Sequence, residues 1–149
     1  NTKVVAFDRD KYTLNTAKDL QKKYPKRFSF YQKKFSEIDT VIGDQLVDII
    51  LFDLGLSTIQ LNNLDRGFSF KSKKKLDMSM GLTSISAEEV INNLNPKKLK
   101  SIIQILGEEK DASKIVKNII RSRSIKKISK VNELVEIIIK SKKKIIKTR

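Results

Sequence analysis

Apolar and polar positions at the start of the chain predict a strand followed by a helix. Residues 3–7 form a short apolar run that ends at Asp8, as expected of a strand. Asp10 is placed to cap the helix that follows, because its carboxylate can accept backbone N–H groups of a first turn. The helix pattern continues to about Tyr24, where Pro25 ends it.

Two further apolar segments predict a parallel sheet. Residues 27–32 alternate like a strand, residues 36–43 form a weak helix or turn, and residues 46–52 are almost continuously apolar before Asp53. A strand that is apolar on both faces is typical of a parallel sheet covered by helices. Strands alternating with helices predict a doubly wound α/β domain, to which we assign residues 1–65.

The second part of the chain, residues 66–149, predicts a long loop and then four helices. Residues 54–82 are irregular and include a lysine-rich run at 71–75, too long for an ordinary connection and therefore a candidate functional loop. Ser86 with Glu89 forms a capping box, and Asn95 with Pro96 starts the next helix. The apolar stripes of the four predicted helices are Ala87, Val90, Ile91 and Leu94; Leu99, Ile102, Ile103 and Leu106; Ala112, Ile115, Val116, Ile119 and Ile120; and Val131, Leu134, Val135 and Ile138.

Charge separates the two parts further. The net charge is +15, with 10 Lys/Arg against 9 Asp/Glu over residues 1–65 and 22 against 8 over residues 66–149. Such asymmetry favours a surface that meets nucleic acid. The alternative is that the lysines reflect codon bias in an AT-rich genome and only solvate helix faces, although this explains the even balance of the first part poorly.

Residue inventory excludes several classes of chemistry. The chain has no cysteine and no histidine, so disulfides, thiolate nucleophiles, imidazole bases and the usual zinc sites are ruled out, and we expect no metal site. No apolar run approaches the roughly 20 residues of a membrane helix, and the start lacks the layout of a signal peptide. We therefore expect a cytoplasmic protein.

Acidic side chains follow two of the predicted strands. Ligands of open parallel sheets collect at the carboxyl ends of the strands, where Asp8 and Asp53 are found. A carboxylate there can accept hydrogen bonds from both hydroxyls of a ribose, so the pair favours a nucleoside-like ligand. Each aspartate alone is better explained as a helix cap or turn former.

Other candidate contacts follow the strands and fill the loop. Phe35 offers a face for an adenine, with a core phenylalanine as the alternative. Gln60 offers an amide to a cofactor or to a base edge. Aromatic faces beside cations are expected where single-stranded RNA is bound. The loop residues of this kind are Arg66, Phe68, Phe70, Lys71, Lys73, Lys74 and Lys75.

Three segments carry a family resemblance. They are residues 53–61 (DLGLSTIQL), 66–70 (RGFSF) and 76–80 (LDMSM). Together they closely resemble the signature of the MraW family, the methyltransferase H group of small-subunit ribosomal RNA methyltransferases. The segments FDRD at 7–10, FS at 35–36 and GEE at 107–109 fall in matching order, so the likeness spans the whole chain.

The resemblance implies an activity, a fold and a set of contacts. The family transfers a methyl group from S-adenosylmethionine to the exocyclic N4 of a cytidine in small-subunit ribosomal RNA. Its fold would be a partial Rossmann-like class I methyltransferase sheet with an inserted α-helical substrate-recognition domain. By motif, Asp8 corresponds to the ribose-binding acid, and Phe35, Asp53 and Gln60 to further cofactor contacts. Asp53 is also the candidate catalytic acceptor, and the expected partner is ribosomal RNA or an immature small subunit.

Departures from the family pattern leave alternatives open. Residues 57–59 read Ser-Thr-Ile where Ser-Ser-Pro is usual, which would loosen the turn that aims Gln60, and Ser79 stands where arginine is common. The family's first strand with its glycine-rich loop and its closing strands would lie outside the two ends of the chain, so we expect a fragment that lacks both ends and is inactive alone. The alternatives are a non-catalytic RNA-binding module and an amino-methyltransferase acting on DNA or another RNA.

Overall fold

The structure, a computed structural model, describes residues 2–82 and 85–142. The chain divides into two compact units, each with its own contacts. The first comprises Asn1–Leu54 and Ser79–Ser84, and the second comprises Gly55–Met78 and Ile85–Arg149. The first contains a small parallel sheet with helices and the second is helical, so the predicted α/β character is confirmed.

The first unit begins with the predicted strand, helix and strand. Strand β1 (Val4–Phe7) pairs in parallel with β2 (Phe28–Tyr31). Helix α1 (Leu14–Lys23) connects them, as a parallel pair requires. The predicted cap is confirmed, because the buried Asp10 accepts the N–H of Tyr12 at 3.1 Å in a 3₁₀ turn that leads into α1.

A short helical segment follows β2. A 3₁₀ turn at Phe35–Glu37 leads into helix α2 (Asp39–Ile42), where the sequence predicts a weak helix. The Lys34 N–H donates to the carboxylate of Glu37 at 3.0 Å, which fixes the start of the turn.

The predicted third strand is wrong. Residues 46–52 adopt no strand, and the side chains of Leu46, Ile49 and Leu51 are 100, 85 and 88% exposed. An apolar run only indicates that burial is favourable, whereas a strand also needs a neighbour to pair its N–H and C=O groups. Within the described ranges, the sheet consists of β1 and β2 alone.

The second unit contains five helices within the described residues. They are α3 (Thr58–Asn62), α4 (Ala87–Asn93), α5 (Pro96–Ser101), α6 (Ala112–Arg123) and α7 (Val131–Lys142). None of the helices in residues 2–82 and 85–142 is both long enough and apolar enough to cross a membrane. The core of this unit consists of Leu76, Ile91, Leu99, Ile115, Val116, Ile119, Ile128 and Val131.

Local capping signals were predicted correctly. Ser86 and Glu89 form the predicted capping box of α4, with the Glu89 N–H donating to Ser86 Oγ at 3.2 Å and the Ser86 N–H to Glu89 Oε2 at 2.7 Å. Asn95 Oδ1 accepts the N–H of Lys98 at 2.9 Å, and Pro96 occupies the first turn of α5. These interactions involve residues three apart, so they do not depend on the rest of the fold.

The predicted apolar stripe of α5 is only partly correct. Leu99 is buried and Ile103 packs against the core, but Ile102 and Leu106 are exposed. Helix α5 continues into a π-helical turn at Ile102–Leu106. The wider π turn rotates successive side chains away from the 3.6-residue period on which the prediction depended.

Two side chains tie α4 to later parts of the chain. The Asn92 amide donates to the carbonyls of Glu88 and Ile128 at 2.7 and 2.8 Å, and its Oδ1 accepts the Ile128 N–H at 3.0 Å. The Arg123 guanidinium donates to the carbonyls of Ile91 and Leu94 at 2.6 and 2.7 Å. Carbonyls at the end of α4 thereby obtain the partners that the helix cannot supply.

Acid should destabilise the second unit through Glu133. Its carboxylate accepts the N–H groups of Ser129 and Lys130 and lies 3.3 Å from Lys126 Nζ, which lowers its pKa below the ordinary value of 4.5. A lowered pKa stabilises the folded state above the ordinary value, and this contribution is lost as the pH falls through the lowered pKa. We expect the midpoint temperature of thermal unfolding to decrease as the pH is lowered below about 4.5. The decrease should be less steep in Glu133→Gln.

The matched control for that experiment is Glu136→Gln on the same helix, whose carboxylate is exposed and lies 3.9 Å from Lys140. It should keep the pH dependence of the parent. Thermal unfolding followed by circular dichroism between about pH 3 and 7 measures the effect. Superimposable curves for the parent and Glu133→Gln would contradict the assignment.

Candidate functional site

Asp8 lies at the carboxyl edge of the parallel sheet in the first unit. It follows the last residue of β1, and its N–H donates to the carbonyl of Tyr31, the last residue of β2, at 3.3 Å. The rings of Phe7 and Tyr31 stack with centroids 5.7 Å apart and support this edge. Asp8 is partly exposed, and its Oδ1 accepts the N–H of Asp10 at 2.8 Å. The backbone therefore orients the carboxylate at the predicted position.

Phe35 and the residue before Asp53 are in contact. Phe35 begins the turn after β2 and is 58% exposed, which argues against the alternative of a core phenylalanine. Its ring meets the ring of Phe52 edge to face, with centroids 5.9 Å apart and an angle of 80°. Asp53, the next residue, is exposed and follows no strand, so the prediction that it lies at the carboxyl end of a strand is wrong. The fold thus places Phe35 against the residue that precedes Asp53, and the sequence analysis did not identify this aromatic partner, Phe52.

Gly81 lies close to the backbone of Arg9 and Lys11, a contact that the sequence analysis did not predict. Its φ is +74°, and a Cβ built at this position would lie 3.1 Å from both Arg9 O and Lys11 N. The segment after Met80 therefore packs against the turn that follows β1. The turn after β1 belongs to the family-like segment at 7–10, and a glycine directly after the 76–80 motif was the available signal.

Gln60 lies in the second unit and caps a helix. Ser57 Oγ accepts the Gln60 N–H at 3.2 Å, and Gln60 Oε1 accepts the Ser57 N–H at 3.0 Å, which forms a capping box at the start of α3. The side chain is buried. The turn is therefore well held without the usual proline at residue 59. A cofactor contact from Gln60 stays a prediction, and its Oε1 is already engaged locally.

Residues 67–76, hereafter the lysine loop, have a fixed backbone. Ser72 is fully buried, and its hydroxyl donates to Leu64 O at 2.6 Å and accepts the Lys74 N–H at 3.0 Å. Lys75 forms an isolated antiparallel bridge with Lys130. These contacts anchor the loop to the helical unit although it has little regular structure.

The cations of the lysine loop face solvent. The exposed residues are Lys71, Lys73, Lys74 and Lys75. Lys74 lies 3.4 Å from Asp65, and both side chains are mostly exposed, so this pair contributes little stability. A rigid backbone that presents several solvated cations suits a phosphate-binding surface.

The arginine and the phenylalanines of this region differ in exposure. Arg66 is buried, and its guanidinium carbon lies 5.0 Å from the centroid of the Phe68 ring. Phe70 is largely exposed. Of these predicted substrate contacts, Phe70 is the one whose ring is available for stacking on a base, whereas Arg66 and Phe68 cover each other. Sequence order alone contained no signal for this distinction.

The donors of the first unit fit a nucleoside in chemical type. Asp8 supplies a carboxylate at the strand end, and Phe35 and Phe52 supply an exposed aromatic pair next to the Asp53 carboxylate. Carboxylates pair with ribose hydroxyls and aromatic faces stack on adenine. Each of these positions therefore offers a type of chemical group that a nucleoside can bind.

Comparison with known proteins gives consistent matches. A family model described as the MraW methylase family matches residues 1–149. Ribosomal RNA small subunit methyltransferase H of Orientia tsutsugamushi (strain Ikeda) is 39% identical over 140 residues, which are 93% of this chain and 45% of that protein. The proteins of the same name from Sulfurihydrogenibium sp. (strain YO3AOP1) and Neorickettsia sennetsu are each 40% identical, covering 93% and 91% of this chain and 48% and 46% of their own lengths. The chain thus spans about half the length of the curated relatives it matches.

Proposed function

Because the chain belongs to the MraW methylase family, we propose that it forms part of an S-adenosylmethionine-dependent methyltransferase acting on the exocyclic N4 of a cytidine in small-subunit (16S) ribosomal RNA. The names of its relatives support ribosomal RNA as the substrate class. The observation that carries the proposal is the position of these side chains in the first unit. Asp8 directly follows β1, and Phe35 lies in the turn after β2. Phe35 contacts Phe52, the last residue of the apolar run, and Asp53 comes next.

The proposed fold extends this arrangement. Residues 1–65 would belong to a Rossmann-like class I methyltransferase sheet, and residues 66–149 to a basic helical domain inserted for substrate recognition. The helical second unit and its excess of lysine support the latter assignment.

Each proposed cofactor contact has a distinct task. Asp8 would bind the ribose hydroxyls, because its carboxylate is held at the strand end by backbone contacts. Phe35 would stack on the adenine with its exposed ring, supported at its edge by Phe52. Asp53 and Gln60 complete the set by motif, with Gln60 contributed from the start of α3.

The chemistry requires placement of the substrate more than activation. S-adenosylmethionine, when bound, supplies a methyl group already activated by its sulfonium. The protein must hold the cytidine amine in line with that methyl, which replaces a bimolecular encounter with a high effective concentration. Asp53, or the backbone carbonyls of residues 54–57, would accept a hydrogen bond from the amine and favour its lone pair pointing toward the methyl.

The lysine loop is proposed to hold the RNA around the target. Lys71, Lys73, Lys74 and Lys75 would contact phosphates, while the exposed ring of Phe70 would stack on a base turned out of its helix. Arg66 and Phe68 would support this surface from beneath. The partner would be small-subunit ribosomal RNA or an immature small subunit, which places the reaction in the cytoplasm.

Transfer of labelled methyl groups from S-adenosylmethionine to immature small ribosomal subunits tests the proposal, using the protein at its full length. A non-catalytic RNA-binding module would bind the subunits and incorporate no label. An enzyme for DNA or another RNA would label those substrates instead, and mapping the methylated nucleotide would identify the target atom.

Asp53→Ala should lower methyl transfer about tenfold or more, since it removes a charged hydrogen-bond acceptor worth roughly 1.5–3 kcal/mol. Cofactor affinity, measured by calorimetry, should fall as well if Asp53 is a cofactor contact. Asp48→Ala, an exposed acid in the same segment, is the matched control and should leave both quantities unchanged. An Asp53→Ala protein with parental affinity and transfer would rule out the assigned role.

A further inference from the structure

Helix α6 has one buried face and one basic face. Ala112, Ile115, Val116 and Ile119 are buried in the unit that contains the helix. On the opposite side lie four exposed cations, which we call the α6 basic stripe: Lys110, Lys114, Lys117 and Arg121. Lys110 directly precedes the capping residue Asp111, and the other three lie within the helix.

The stripe is aligned along the helix axis. Its members are separated by four, three and four residues. The three members within α6, Lys114, Lys117 and Arg121, project within an arc of about 60° at 3.6 residues per turn and span about 10 Å at 1.5 Å per residue, and Lys110 lies just before the helix begins. Neighbouring cations are therefore about 4.5–6 Å apart along the axis, so they form a continuous row that can follow a chain of phosphates.

Little negative charge compensates this row. Residues 112–123, which hold three of the four cations, include no aspartate or glutamate, whereas Lys110 lies between Glu109 and Asp111. In the part of the chain that the structure describes, Lys114 is the only stripe residue with a salt bridge, to Asp111 at 3.0 Å. By contrast, Lys126 and Lys127 of the same unit lie 3.3 and 2.6 Å from Glu133 and Glu88.

The alignment has an electrostatic consequence. Like charges three or four residues apart on a helix repel each other and destabilise it. The row therefore contributes little to folding of the second unit, since the core of that unit lies on the other face of α6. A polyanion laid along the stripe would remove the repulsion and release its own counterions.

We propose that the α6 basic stripe is a second RNA contact, which binds the phosphate backbone of small-subunit ribosomal RNA at nucleotides other than the one that is methylated. The identity of this RNA rests on the proposed function. A phosphate-binding row contributes affinity and register but reads no sequence, and thus complements a site that selects one base. RNA is favoured over a lipid surface because Ser113 stands beside the stripe, where a membrane-binding helix carries large apolar side chains.

The test is the salt dependence of RNA binding by the full-length protein. The triple variant Lys110→Gln, Lys117→Gln and Arg121→Gln removes three stripe charges and keeps the Lys114–Asp111 pair. Binding to small-subunit ribosomal RNA should weaken about tenfold or more at low salt, and the slope of log K against log salt should become shallower by about 2, or roughly 0.7 for each single-strand phosphate contact.

The matched control is the triple variant Lys97→Gln, Lys98→Gln and Lys100→Gln on α5. It removes the same charge from exposed lysines of the same unit, but these project over an arc of about 160° and form no row. Its slope should change by less than about 1. Equal slope changes in the two triple variants would show that RNA senses only net charge, and would overturn the proposal.

Further measurements separate other outcomes. Circular dichroism should show that the triple variant retains its helices; if it does not, Lys117→Gln alone replaces it, with an expected slope change of about 0.7. Stripe-dependent binding to vesicles of anionic phospholipid without stripe-dependent RNA binding would also overturn the proposal. Methyl transfer is measured separately. If the protein transfers no methyl group but the triple variant shows the slope change, the RNA contact is retained and the proposed function fails. If the protein transfers methyl groups but the slope does not change, only the stripe proposal is rejected.

Discussion

Leu76→Ala should lower the free energy of unfolding of the second unit by about 2–5 kcal/mol, the range for removing a fully buried leucine side chain. Leu76 is 1% exposed and belongs to the cluster that includes Ile115, Ile119 and Val131. Its backbone is also fixed, because its N–H donates to Ser129 O at 2.9 Å and its carbonyl accepts the Glu88 N–H at 2.8 Å. The cavity left by the truncation therefore has little freedom to close.

Urea unfolding followed by circular dichroism measures this loss. Leu106→Ala makes the same chemical change at a position in the same unit that is 78% exposed, and should stay within about 0.5 kcal/mol of the parent. Similar losses in both variants would mean that Leu76 is not part of the packed core. Comparing the stabilities of the two variants also matters for function. Low methyl transfer by Leu76→Ala would result from unfolding.

Gly67→Ala should destabilise the lysine loop by about 2–4 kcal/mol through two separate effects, backbone strain and steric overlap. Gly67 has φ +75°, a left-handed conformation that costs other residues about 1–2 kcal/mol. An added Cβ would also lie 2.6 Å from Lys75 O and 3.0 Å from Asp77 N, both of them backbone atoms. The backbone at Lys75 must then move, which opens its bridge with Lys130.

Hydrogen exchange localises this effect. The N–H of Leu76 bonds to Ser129 O and the N–H of Val131 to Lys74 O, so both amides should lose protection in Gly67→Ala. Gly43→Ala is the control, since Gly43 also has a positive φ, +55°, but a Cβ there would meet no atom within 4 Å. Unchanged protection at Leu76 and Val131 would contradict the predicted clash.

Several residues of the family-like motifs have structural roles. Ser57 and Gln60 cap α3, Arg66 stacks on Phe68, and Leu76 is in the core. Resemblance identified these segments as important, but it did not separate residues that hold the site from those that would touch a ligand. Burial makes that separation, and it leaves Asp8, Phe35, Asp53, Phe70 and the exposed lysines as the more accessible candidates.

Features that depend on a few neighbouring residues were readable from the sequence. The caps at Asp10, Ser86 and Asn95 and the buried stripe of α6 are confirmed, because each requires only contacts within a turn or a fixed helical period. The placement of Asp8 at the end of β1 follows in the same way from an apolar run and the residue after it.

Features that depend on distant partners were decided by the tertiary structure. Residues 46–52 have the composition of a buried strand, yet a strand forms only where another strand pairs with its backbone. The contact of Phe35 with Phe52 and the bridge of Lys75 with Lys130 likewise join segments that are distant in the sequence. The burial of Arg66 also depends on how the chain packs around it. The hydrophobic pattern indicates which side chains are stabilised by burial. Packing of the whole chain determines which residues cover each of them.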